Sequence, residues 1–81
     1  MADCTGLLAY TQQHVADLDF DRACRLLECE GFLEMGRRGN QRWYTHLRLR
    51  KSLNVQNVAG LVKPYQAEML IDLVLEARGL R

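Results

Sequence analysis

The residues best equipped for chemistry lie in one run, GRRGNQRWYTHLRLRK, from Gly36 to Lys51. It holds five Arg, one Lys, one His, one Trp and one Tyr, with no Asp or Glu. Cations repeated along a strand bind phosphates, and ring faces set between them stack on unpaired bases. Arg37, Arg38, Arg42, Arg48, Arg50 and Lys51 are therefore candidate phosphate ligands and Tyr44 a candidate stacking ring. His46, between Tyr44 and Arg48, is the candidate catalytic residue: a neutral imidazole beside a phosphate-binding Arg can act as general base on a 2′-hydroxyl. The plain alternative is a solvated outer strand face, whose cations discourage edge-to-edge pairing.

The total charge of +1 conceals this segment. Residues 1–36 set two Arg against seven acids, residues 37–51 are purely basic, and residues 52–81 balance. Such polarity attracts a polyanion locally, unless the acidic part folds back and quenches it. Eighty-one residues make one domain, 1–81, too small to enclose a sizeable enzyme cleft. With 48% hydrophobic and 26% charged residues the chain is composed to fold. It has no serine elbow, no phosphate loop and no paired carboxylates in a cleft, so the common catalytic constellations are excluded.

Cysteines and histidines were weighed for redox and metal chemistry. Cys4, Cys24 and Cys29 are odd in number, and Cys24 and Cys29 fall roughly 140° apart on a helical wheel, so those two are badly placed to bridge. All three are expected as reduced thiols in a cytoplasmic protein, with Cys24 and Cys29 as small buried apolar groups. His14 and His46 lie far apart and near no Cys in sequence, so no metal and no cofactor are expected. Neither a signal peptide nor a membrane-spanning run is read.

The elements that must position the basic run follow from periodicity and punctuation. Residues 5–16 make a short helix capped by Thr5. Asp19 caps a second helix, Phe20 to Glu30, whose Phe20, Ala23, Cys24 and Leu27 share a face and which Gly31 stops. Gly39-Asn40 turns between two strands. In the second strand Trp43, Leu47 and Leu49 point inward, while Arg42, Tyr44, His46, Arg48 and Arg50 point to solvent. Residues 53–55 form a third strand, reached through the bend at residues 50–52. Pro64 opens a last helix that ends at Gly79 and whose apolar arc, roughly 240°, exceeds what one core needs. The surplus packs under the first helix or meets another chain.

Two resemblances use these residues. Gly31-Phe32, Gly39, Tyr44, Lys63-Pro64 and Gly79-Leu80 stand in an order that resembles the HicA-type toxins across residues 19–80, leaving residues 1–18 as an extra helix. That resemblance implies an α-β-β-β-α unit like double-stranded-RNA-binding domains, RNA as substrate, and an antitoxin-like protein partner of the HicB kind. The family's catalytic His is absent. Gln41 or Arg42 stands in its place and neither takes a proton at neutral pH, so the likeness implies binding with impaired nuclease activity. The stretch from Arg25 to Leu49 also resembles the end of a winged helix-turn-helix domain, which implies DNA binding through the helix at 20–30 and a wing bearing Arg37, Arg38 and Arg42.

The expectation is a small α+β domain of order α-α-β-β-β-α with a three-stranded antiparallel sheet packed on helices. Its function is nucleic-acid binding, RNA ahead of DNA, with a protein–protein interaction module working through the last helix as the further alternative. An antitoxin-like protein, or a second copy joined through the helix at 64–78, is a further expected partner; a membrane is not.

Overall fold

A computed structural model describes residues 3–80. The first helix, α1 (Cys4–Gln13), begins one residue earlier than expected because its cap is Asp3 and not Thr5; the Asp3 carboxylate accepts from the Gly6 N–H at 3.1 Å. A Cβ at Gly6 would lie 2.7 Å from that carboxylate, which would have to swing aside for any larger residue there. A two-residue strand, β1 (Leu18–Asp19), leads into α2 (Phe20–Cys29). Asp19 caps α2 by accepting from the Arg22 N–H at 3.0 Å, and Gly31 at φ +92° ends it, both as read from sequence.

Three strands follow: β2 (Leu33–Arg38), β3 (Gln41–His46) and β4 (Lys51–Gln56). They pair antiparallel in the order β2-β3-β4. Gly39, at φ +60°, takes the first place of the two-residue turn between β2 and β3, where L side chains are strained. A second short strand, β5 (Leu61–Val62), pairs with β1, which was not foreseen; it precedes α3 (Pro64–Gly79), whose first residue is the proline expected there. α3 ends at Gly79, as expected, with Leu80 as its C-cap. The order α-α-β-β-β-α and the three-stranded sheet are those expected, with the β1–β5 ladder added.

One core joins these pieces. Phe20, Ala23, Cys24, Leu26 and Leu27 of α2 meet Ala67, Leu70, Val74 and Ala77 of α3 and, from the sheet, Tyr44, Leu53 and Val55. The surplus arc of α3 is partly used by α1, which packs on α2 and α3; Leu7 and Leu73 are half-buried against the core. Tyr65, Met69 and Leu75 stay exposed. No helix among the described residues is long and apolar enough to cross a membrane.

Two cross-links converge on the end of α2. Glu30 is buried, and Arg78 near the end of α3 donates to its Oε2 through Nη2 at 2.6 Å and Nε at 2.9 Å. Beside it Cys29 is bonded to Cys4, which corrects the expectation of three reduced thiols. Helical spacing separates Cys24 from Cys29 only; the bonded pair is 25 residues apart and meets only once α1 folds across α2. Cys24 is a buried free thiol, as expected.

Two outcomes follow for stability. Arg78→Ala removes two hydrogen bonds from the buried Glu30 carboxylate and should cost about 1.5–3 kcal/mol in urea unfolding. Reduction, or Cys4→Ser, opens a loop of this length and should cost about 3 kcal/mol by the same measurement; Cys24→Ser should leave the response to reductant intact.

Candidate nucleic-acid interface

The face that β3 turns outward is set by its neighbours. Across from it, Leu53 and Val55 of β4 enter the core, and their register partners, Tyr44 and Arg42, must share that inner side. Tyr44 is 0% exposed, and its hydroxyl donates to Glu28 Oε2 at 3.2 Å. Trp43 is 37% exposed on the other side, and Leu47 lies beyond the strand at 70%. The expected alternation is therefore inverted: Tyr44 is core and Trp43 is surface. A base cannot stack on Tyr44.

The basic run divides accordingly. Arg42 lies on the inner side with its guanidinium 5.1 Å from the centre of the Phe20 ring. Arg37, its register partner on β2, is gripped by Glu34, to which Nε and Nη2 donate at 2.6 and 2.7 Å. That guanidinium holds the Glu34 carboxyl below its usual range. Lys51 reaches back to Glu76 of α3, 3.0 Å from each oxygen. Arg38 sits at the β2–β3 turn, and Arg48 and Arg50 in the 47–50 turn that replaces the expected continuation of the strand. These three are exposed and make no ion pair among the described residues.

His46 closes that same turn. Its Nδ1 accepts from the Leu49 N–H at 3.3 Å, its carbonyl accepts from the Arg50 N–H at 2.8 Å, and its ring stands edge-on to Phe32. The ring nitrogen a base would use is thus engaged by the backbone, and no carboxylate orients the ring among the described residues.

The outer face has its own chemistry. A bulge in β2 sets Gly36 opposite Trp43, whose Cε3 lies 3.9 Å from where a Cβ would stand, an ordinary van der Waals contact. Met35 and Leu33 are exposed at 65% and 49%. On the other flank Asn54 donates to Gln41 Oε1 at 3.0 Å, and the Ser52 and Thr45 hydroxyls pair at 3.0 Å. By register and alternation no Asp or Glu points to this side of the sheet. Trp43 therefore sits on a carboxylate-free face of the sheet, roughly 7–10 Å of strand from either end, with Arg38 at one end and Arg48 and Arg50 at the other.

Sequence reasoning missed Trp43, Gln41 and Asn54 as surface groups. The usable signal lay in β4, where Leu53 and Val55 alternate with Ser52 and Asn54; β3 alone offers bulky side chains on both sides. Comparison with protein-family models, with curated proteins and with solved structures finds no match for this chain. The likeness to HicA-type toxins accordingly stands on the quoted motif residues.

Burial pushes the Tyr44 phenol well above the ordinary value of 10, helped by the adjoining Cys24 thiol. Its folded-state pKa is raised, so its contribution to stability is complete below about pH 10 and is lost as pH rises beyond that. In an absorbance titration at 295 nm one of the three tyrosines should ionise only with unfolding, and Tyr44→Phe should remove that late step while costing about 1 kcal/mol for the lost hydrogen bond.

Proposed function

We propose that this chain is a single-stranded RNA-binding protein that carries RNA across the outer face of β2-β3-β4 without cleaving it. The observation that supports this best is the solvent-facing Trp43 on a carboxylate-free sheet face flanked by arginines that make no ion pair among the described residues. An indole face stacks on a base of any sequence, and guanidiniums at both ends of the strand are placed to meet the phosphates on either side. The Gln41–Asn54 amide pair and the Ser52–Thr45 hydroxyls add hydrogen-bonding groups to the same face.

Cleavage lacks a proton carrier. No His or carboxylate points to this face; Gln41 and Arg42, which stand where HicA-type toxins place their catalytic His, cannot accept a proton, and His46 Nδ1 is engaged by Leu49 N–H. Duplex DNA is the weaker reading because α2, its candidate recognition helix, shows Asp21 and Glu28 to solvent. The same proposal takes the protein to be cytoplasmic, a compartment that keeps disulfides reduced. The fold is then expected to function with the Cys4–Cys29 bond open.

Trp43 is the only tryptophan, so its fluorescence reads the interaction directly. Single-stranded RNA should quench it, with affinity falling as salt rises, whereas duplex DNA should not. Followed by filter binding, Trp43→Ala should weaken RNA binding by about 5- to 100-fold, corresponding to the loss of one stacked base. RNA recovered after long incubation should be intact. Quenching by duplex DNA alone, or none by any nucleic acid, would refute the reading.

A further inference from the structure

A second feature lies behind the β2–β3 turn, on the inner side of the sheet. A cavity of about 110 Å³ opens there between Phe20, Arg37, Asn40, Gln41, Arg42 and Asn57. No carboxylate lines it. Its volume suits a phosphoryl group and falls well below the ~300 Å³ at which pockets for whole organic ligands begin.

The arginines make the cavity unusual. Arg37 and Arg42 are direct register partners on adjacent strands, and like charges placed opposite each other destabilise a sheet. Glu34 binds two N–H groups of Arg37 and leaves the rest of that fork unclaimed. Arg42 is supported by the Phe20 ring and adjoins the Tyr44 hydroxyl and the Cys24 thiol, and the Glu34 carboxylate acts on it as it does on Arg37. Two guanidiniums thus share one carboxylate beside a polar hollow. An anion seated between them turns the repulsion into a clamp, since guanidinium forks match phosphate oxygens.

The turn itself is firmly held. The Asn57 N–H donates to the Asn40 carbonyl at 2.7 Å, and Asn40 Nδ2 donates to the Asn57 carbonyl at 3.0 Å. Gln41 belongs to both sides of the sheet's end: it lines the cavity and accepts from Asn54 on the outer face. Arg38 stands between the two regions on the chain.

We propose that this cavity is a phosphomonoester site that holds the terminal phosphate of the RNA strand whose next nucleotides round the Gly39-Asn40 turn onto Trp43. It rests on the RNA reading for its ligand and on the arginine pair for its chemistry. A terminal phosphate carries up to two charges against one for each internal phosphodiester, so the doubled guanidinium selects strand ends.

The test uses the whole chain and a six-nucleotide oligouridylate ending in hydroxyls, in a 5′-phosphate or in a 3′-phosphate, followed by Trp43 quenching. One phosphorylated form should bind at least tenfold tighter than the hydroxyl form. Arg37→Ala, at an exposed position, should erase that difference. Glu34→Gln frees the Arg37 fork and should widen it, a gain that misfolding cannot imitate. Equal binding of all three oligomers would overturn the end-binding site and leave the RNA reading standing. In parallel, inorganic phosphate at millimolar concentration should shift the backbone amide signals of Gly39, Asn40 and Asn57 in NMR spectra. Shifts without any oligomer binding would overturn an RNA end as the ligand and assign the site to a free phosphate compound; unmoved signals would overturn the site altogether.

Discussion

The inward seat of Tyr44 governs what this molecule presents to its surroundings. Trp43 and Tyr44 are consecutive, so a strand can bury one of them and must show the other. Tyr44 takes the interior because its ring completes the core with Leu53 and Val55 while its hydroxyl finds Glu28. Trp43 lies on the outer side, opposite Gly36. Every other orientation in β3 follows: Arg42 and His46 accompany Tyr44 inward, and Gln41 and Thr45 accompany Trp43 outward.

That single choice sorts the cations. Had the strand turned the other way, Arg42 and Tyr44 would have lined the open face with Arg48 and Arg50. Instead the inner side receives Arg37, Arg42 and Lys51, where Glu34 and Glu76 from the acid-bearing parts of the chain meet two of the three. Exposed ion pairs of this kind contribute little to stability. Their effect is directional, drawing Arg37 and Lys51 away from the outer face. The charge that remains free is confined to the two ends of the hairpin, and the pair of arginines with one shared carboxylate is left at the cavity beneath its turn.

The frame that holds this sheet is organised around α2. Its first residue is tied to the segment before α3 by the Phe20 N–H to Gly60 carbonyl bond and the β1–β5 ladder. At its far end Cys29 and Glu30 are joined to α1 and α3 respectively. A ten-residue helix in isolation is marginal, and α1 and α2 are both that short. Tertiary links at their ends supply what local propensity cannot.

Local chemistry was legible where a residue acts on its own backbone. The Asp19 cap, the Gly31 stop, the Gly39 turn and the Pro64 start are all readable from short windows, and together they yield the α-α-β-β-β-α order. Three matters were not readable in that way: which face of β3 is buried, which carboxylates capture which cations, and that Cys4 meets Cys29. Each depends on partners between 3 and 48 positions away whose approach is decided by packing, and a period-2 pattern with bulky groups in both phases is satisfied equally well by either orientation. The sequence by itself determined the elements and the concentration of positive charge; the tertiary structure alone decided which of those charges, and which aromatic ring, face solvent, because burial is a property of the assembled core and not of any one strand.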